Sequence, residues 1–577
     1  MLAAGYPAYA ASPGSQPNYA HWLGAALWCE TLSTNEMDYW KKRFHRDVQS
    51  WTVSTGRERR PATAEELATL FSSPEMVQKV LDPVVGLPWV ASNNTLDHNL
   101  RPGDAKIFLS DPEFTQAFFT QLSPRDCLPI ALRILSDIRE QQPEYWKEYR
   151  KLTVAVALVF DQKPPGTWPH DQVPRAVVPL DKELKPDTHF AYWCEANNSK
   201  KLLLDLKKME VQQLVFVVDS FVEKSELEWA QKNLRYTRAT LPSAFSDIRY
   251  DNDRIKQQQY DWPHSDYSLS YIKRVGGICV DQAYYAATVG KAKGLPTLFF
   301  SGQGADGGHA WFGYMKSDDL WDMNCGRYKS QNYAVGEALN PQTWEAITDH
   351  ELGFLAKRFR DTPAYATSQI HLQVARWFEL TQDSAKVKTA LDNALRSCPD
   401  NPEAWDAKAN YLDTTGALFP EKKTHLDAAI QKYSSNADLK TTYQERLANL
   451  HRAAGNEAAA AALEKNIVSS NRTRRSDIAV TQFSDKLKKL SAEGKLDEAF
   501  AEYRKQMPAL GRTGGGSLFY DAVRPLAFAY LDAGNWKQCE KTLEIARRSL
   551  APDKGSILDE AMAEIESEIK AAKLSKK

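Results

Sequence analysis

Apolar positions along the chain change their period twice. In Glu113–Leu122 and Leu128–Glu140, as in Glu65–Phe71 nearer the start, they recur every third or fourth position, which predicts amphipathic helices. Asp111-Pro112-Glu113 and Ser123-Pro124 supply the start and stop signals. Between about 150 and 350 the pattern breaks into short apolar runs separated by glycine- and proline-rich connections. Leu152–Phe160 is continuously apolar and fits a buried strand or a buried helix, because periodicity cannot arbitrate over so short a run. Leu214–Asp219 reads as a short buried strand, and Ser225–Asn233 as a helix with Ser225 as its cap. From about Pro363 the helical period returns and stays. The pattern divides the chain into a flexible tail (1–18), a helical N-terminal region (19–150), a mixed α+β unit (151–348) and a helical repeat region (363–577). A length of 577 residues is too great for one core and agrees with several domains.

The last region has an internal repeat. Gly416, Gly455, Gly494 and Gly534 recur at a nearly constant interval, each between two amphipathic segments. Gln382 occupies a similar turn one repeat before Gly416. At the same offset, Ala375-Arg-Trp-Phe-Glu-Leu is echoed by Ala409-Asn-Tyr-Leu-Asp-Thr. One helical hairpin cannot bury its apolar face alone, so such units stack. Gly511–Ser517 reads as a flexible loop. It lacks the Lys-Ser/Thr ending and the preceding strand of a phosphate-binding loop. The lysine-rich end, Lys570–Lys577, reads as frayed.

The chemistry concentrates between Gly276 and Tyr328. Gly276-Gly277 predicts a turn and Val280–Ala292 a helix, stopped by Gly294 and Leu295-Pro296. Cys279 falls at the first turn, where unpaired N–H groups and the helix dipole favour a thiolate and offer an oxyanion site. A free thiol has a pKa of about 8.5, and this placement with a histidine partner can lower it by several units. Thr297–Phe300 predicts a strand, Gly302–Gly308 a mobile loop, and Ala310–Met315 and Leu320–Cys325 two more strands joined at Lys316–Asp319. His309 opens the second strand. Asp322 and Asn324 share one face of the third, and either is a candidate to hold the far side of the imidazole. His264 is a rival base, close to Cys279 in sequence, and Trp262 or Tyr271 is placed to line a cleft.

This stretch resembles the core of the transglutaminase-like superfamily of cysteine enzymes. The matching residues are Gly277-Ile278-Cys279, Gly294-Leu295-Pro296, His309-Ala310-Trp311 and Trp321 before a polar residue, with the Cys279-to-His309 separation also suiting that family. Weaker similarity extends upstream to about residue 150. The resemblance implies a papain-like fold with a Cys-His-Asp triad, carried by Cys279 and His309. The third position departs from the family's pattern: Asn324 stands at the third position after Trp321, and Asp322 is the nearest acid. The repeats resemble tetratricopeptide-type helix–turn–helix units. The implied fold class is multidomain α+β, a transglutaminase-like catalytic domain flanked by a helical N-terminal region and a C-terminal α-solenoid. The implied activity is thioester acyl transfer on protein or peptide amides, with hydrolysis or deamidation favoured over cross-linking. The alternative is an inactive scaffold that meets a protein partner through its repeats.

Composition narrows the classes further. With 73 basic and 74 acidic residues the net charge is −1, and no basic stripe with interleaved aromatics predicts a nucleic-acid partner. The Arg472–Arg475 cluster reads as a solvated loop. No apolar run reaches spanning length. Seven scattered cysteines make neither a disulfide framework nor paired metal ligands, and no acidic calcium loop is present, so no metal or organic cofactor is implied. Ala8-Tyr9-Ala10 followed by Ala11-Ser12-Pro13 fits the end of a truncated secretory signal, which would make the chain secreted or periplasmic, or a plain tail of a cytoplasmic protein.

Overall fold

Most of the apolar residues between 104 and 300 are used in helices. The computed structural model describes residues 104–575, apart from scattered positions between 110 and 127 and short breaks at 179–183, 319 and 381–383, together with a strand pair, Ser54–Thr55 with Glu58–Arg59. The readings of 1–18, of Glu65–Phe71 and of most of 19–103 lie outside the described residues. The first described helices are α1 (Asp104–Leu109), α2 (Pro112–Gln121), α3 (Leu128–Gln141) and α4 (Arg150–Val159). They are followed by α5 (Pro186–Asn198), α6 (Val211–Val218), α7 (Lys224–Asn233), α8 (Leu269–Val275) and α9 (Cys279–Ala292).

These helices decide three local expectations. Leu152–Val159 is helix, buried at every position, so burial on all sides erased its periodicity. The strand expected at Leu214–Asp219 is instead helix α6. Glu210 and Gln213 form a capping box at its start, and no strand of the sheet pairs with it. Ser225 lies inside the first turn of α7, whose cap residue is Glu223.

A single small sheet follows, all antiparallel: β1 (Thr297–Gln303), β2 (Gly308–Ser317), β3 (Leu320–Cys325), β4 (Glu337–Leu339) and β5 (Ala346–Thr348), in the spatial order β3-β2-β1-β4-β5. Strands β1 and β2 extend into the expected Gly302–Gly308 loop and leave only a tight turn between Gln303 and Gly308. Helix α9 lies across β1 and β2. All of its residues from Val280 to Ala292 are buried, so it forms the centre of the unit. Lys291, within this core, has its ammonium held by Asp219 and by the Phe216 and Thr297 carbonyls, at 3.0 and 2.6 Å for the two carbonyls. The apolar core containing α9 runs without interruption from Phe108 to Ala404, so helices α1–α4 share it with the sheet.

After α10 (Asp349–Leu355) the chain is helical to its described end. The helices are α11 (Pro363–Leu380), α12 (Ser384–Ser397), α13 (Pro402–Thr414), α14 (Phe419–Lys432), α15 (Ala437–Ala453), α16 (Glu457–Asn471), α17 (Ser476–Ala492), α18 (Leu496–Leu518), α19 (Arg524–Asp532), α20 (Trp536–Leu550) and α21 (Ile557–Ser575). Successive helices pack on one another and the repeating glycines sit in the turns between them. Two further cores serve this array, one around Tyr433 and Tyr443 and one from Ala479 to Ile569. The chain is thus a mixed α+β protein, mostly helical, with a helical C-terminal region. Three expectations change. Gly511–Ser517 is not a free loop but part of α18, kinked at Gly515 and seated on the α+β unit. Arg475, from the basic cluster, is buried and paired with Asp438 and Asp477 rather than solvated. The C-terminal helix continues to Ser575, with Lys573 paired to Glu540.

Candidate active site

The start of α9 is built by a buried carboxylate. Asp281, fully enclosed, accepts from the Ile278 N–H at 2.8 Å, from the Arg254 guanidinium at 2.8 Å and from the Tyr267 hydroxyl at 2.9 Å. Tyr267, having spent its proton on Asp281, accepts from His170 Nε2 at 2.6 Å. His170 therefore has a bare Nδ1, which is buried without a partner, and burial followed by the Arg254 charge pushes the His170 pKa down to about 3. Gly277 permits this closure: a Cβ there would stand 2.4 Å from that of Asp281. The result is a fixed helix entry with Cys279 as the first helical residue.

Cys279 is partly exposed, whereas the other described cysteines, Cys194, Cys325, Cys398 and Cys539, are buried. The N–H groups of Ala310, Val280 and Cys279 itself approach its sulfur and favour the thiolate. Burial outweighs them, and the Asp281 charge adds to it, so the thiol pKa is raised. This corrects the expected low-pKa thiol: a helix N-terminus lowers a thiol's pKa only where solvent or a cation offsets desolvation.

His309 stands on β2, immediately before Ala310. Its Nε2 lies 2.8 Å from the Gly326 carbonyl oxygen. A carbonyl can only accept, so Nε2 carries the proton and Nδ1 holds the basic lone pair. Burial lowers the His309 pKa against the raising effect of that carbonyl. At neutral pH the resting pair is therefore thiol and neutral imidazole.

Neither Asp322 nor Asn324 hydrogen-bonds the imidazole, and strand register is the reason. Phe312 pairs with Cys325 and Tyr314 with Asp322, so positions level with His309 lie beyond the end of β3, toward Tyr328. Asp322 accepts from the Asn324 N–H at 3.2 Å and from the Cys325 thiol, and Asn324 accepts from Arg327 at 3.0 Å. The residues found at that level are Gly326, through its carbonyl, and Tyr328, whose ring stacks on His309 at 4.0 Å between centroids. Tyr328 is 46% exposed and forms the outer wall. Tyr333 and Tyr250 complete the surround. Burial raises the hydroxyl pKa of all three tyrosines, with a further contribution from the Cys279 sulfur. The bridge between Tyr250 and Gly277 brings Tyr250 there. His264 packs instead against Trp262 and Tyr271, at 5.1 and 5.4 Å between ring centroids, and makes no hydrogen bond to the thiol.

Of these residues, Asp281 had a legible signal, a carboxylate at the third position after the cap residue Ile278. Gly326 had none, because its contribution is a backbone oxygen. Among the described residues no group of three or more His, Cys, Asp or Glu side chains is placed to hold a metal ion, and no helix is long and apolar enough to cross a membrane. No family model, curated protein or solved structure matches the chain.

Proposed function

We propose that the chain is a cysteine-dependent acyl transferase or hydrolase of the transglutaminase-like kind, acting on protein or peptide amide bonds. The observation that carries this reading is the meeting of the Cys279 sulfur with the N–H of Ala310, next to a histidine whose Nδ1 is its only basic atom. Cys279 Sγ attacks the amide carbon, forming a C–S bond as His309 Nδ1 takes the thiol proton. The developing oxyanion is within the field of the α9 N-terminus. The C–N bond then breaks, the amine leaves with the proton from His309, and a thioester remains. Water, deprotonated in turn by His309, releases a carboxylic acid and restores the thiol. An amine in place of water gives a cross-link. Hydrolysis or deamidation is favoured, since it needs only an open site. The general-base form fits a neutral resting pair better than a preformed ion pair does.

The second reading, an inactive scaffold with a protein partner on its tetratricopeptide-like repeats, draws on one observation: the imidazole is oriented by a carbonyl and not by a carboxylate, so nothing charged stabilises an imidazolium. One experiment separates the two. Peptide and amine mixtures are incubated with the wild type and with Cys279→Ala, then read by mass spectrometry for deamidation, cleavage and cross-linking. The enzyme reading requires at least one product with the wild type and none with Cys279→Ala at unchanged circular dichroism. Absence of all three from the wild type across a broad peptide mixture leaves the scaffold.

A further inference from the structure

His309 is the second residue of β2, directly after the turn that joins β1 to β2. It pairs with Gly302, and the turn closes just beyond, with the Gly304 N–H donating to the Gly307 carbonyl at 2.9 Å. One side of the turn is held from within the unit. Gln331 accepts from the Ala305 N–H at 2.8 Å through its backbone and from the Asp306 N–H at 3.1 Å through its side chain, and it follows Tyr328, which stacks on His309. The other side is held by the helical array, from a part of the chain remote in sequence. The Gly516 N–H donates to the Gly304 carbonyl at 2.9 Å. The Leu558 N–H, at the start of α21, donates to Asp306 Oδ1 at 3.2 Å.

The array is shaped for this contact. Helix α18 is broken at Gly515, whose φ of +48° and ψ of −139° suit glycine alone, and a Cβ there would stand 2.6 Å from the Gly304 oxygen. The triple glycine thus supplies both the kink and the bare backbone that let α18 reach the turn. By contrast, Gly494 has a φ of +74° with open space around it, as a plain repeat turn requires.

We propose that the C-terminal array is part of the catalytic apparatus: Gly515, Gly516 and the start of α21 clamp the β1–β2 turn and so hold His309 in register with Cys279. Gly515 and Asp306 are positioning residues in this scheme and touch no reacting atom. The proposal rests on the thiol–imidazole reading above. It is tested on the full chain by following iodoacetamide alkylation of Cys279, by peptide mass spectrometry, from pH 5.5 to 9. His309→Ala comes first. If it leaves the wild-type rate and pH profile unchanged, the thiol–imidazole reading itself fails. If it slows alkylation, Gly515→Ala is expected to slow it by about tenfold or more and to reproduce the His309→Ala pH profile, because small displacements of a reacting group have costs of this order. Gly494→Ala, at another positive-φ glycine but with open space around it and no contact to the turn, keeps the wild-type rate and profile. Should Gly515→Ala not fold, Asp306→Ala takes its place: it is expected to slow alkylation, and Asp306→Asn, which keeps the Oδ1 acceptor, to restore it. A wild-type profile in Gly515→Ala, or in Asp306→Ala where that stands in, overturns the clamp. So does an equal loss in Gly494→Ala, which would mark the effect as general destabilisation.

Discussion

Helices α9 and α20 are similar in length and opposite in design. Helix α9 buries every residue from Val280 to Ala292, polar ones included. Helix α20 buries only Cys539, Thr542, Leu543 and Ala546, a single stripe, and leaves most of its charged residues exposed, with Arg547 paired to Asp559 and Glu566. The first is a hub: it meets β1, β2, α6 and α7, and its polar side chains are tied to distant segments through Asp281 and Lys291. The second meets mainly its neighbours in the array. A hub transmits any change to a whole core, whereas a repeat helix passes it to adjacent units. Precision is therefore concentrated in one place. The thiol sits at the start of a helix with every following residue buried, and the array meets that helix's sheet at Gly516 and at the start of α21.

Substitutions probe this contrast with effects of decreasing size. Asp281→Ala leaves the buried Arg254 charge unpaired and strips a partner from Ile278 and Tyr267. It is expected to cost about 3–5 kcal/mol, read as a global shift of the urea midpoint. A loss below about 1 kcal/mol would mean that α9 is no hub. Leu543→Ala removes a core side chain of α20 at a cost of about 2–5 kcal/mol, but the loss should be local. Hydrogen exchange should accelerate in α18–α21 and stay unchanged in α9, and a global change would contradict the repeat picture. Gly290→Ala places a Cβ 2.4 Å from Thr297 Cγ2, between α9 and β1. Overpacking there is expected to cost about 1–3 kcal/mol by thermal unfolding. Lys573→Ala, which removes an exposed pair with Glu540, should cost less than about 1 kcal/mol.

Acid acts on both regions through their buried histidines. Burial pushes His170 down to about 3 in the α+β unit, and His371 and His425 to about 4 in the array. Each is neutral when folded and takes a proton near pH 6.5 when unfolded. Below about pH 6.5 the unfolded chain therefore binds more protons. Stability is fully present above that value and falls as pH drops toward 4 and then 3. Chemical unfolding across pH 7 to 4 should show the decline in both regions, and His170→Gln should flatten it in the α+β unit alone.

How much of the site could be read from residues alone is clear at particular positions. The helix from Cys279 to Ala292 was legible because a double glycine opens it and Gly294 with Pro296 closes it, all local signals. The strands around His309 were legible through their apolar runs and hairpin turn. The partner of the imidazole was not, since Asp322 and Asn324 looked eligible by spacing and strand register carried them past His309. The strand expected at Leu214–Asp219 failed for a related reason: β-branched residues predict a strand only where another strand is there to pair with.

Signals within short stretches of the chain were enough to specify the local elements, the order in which thiol and imidazole occur, and the repeat that makes the C-terminal region helical. Propensity, capping and periodicity act over a few residues, and that range suffices for all three. The raised Cys279 thiol and the lowered His309 imidazole came from the folded packing, because desolvation depends on everything gathered around a group. So did the choice of Gly326 as acceptor, and the closing of Gly515, far beyond His309 in sequence, on the turn that carries it. Those outcomes depend on register and docking, which are properties of the assembled chain and leave no mark on any short stretch of it.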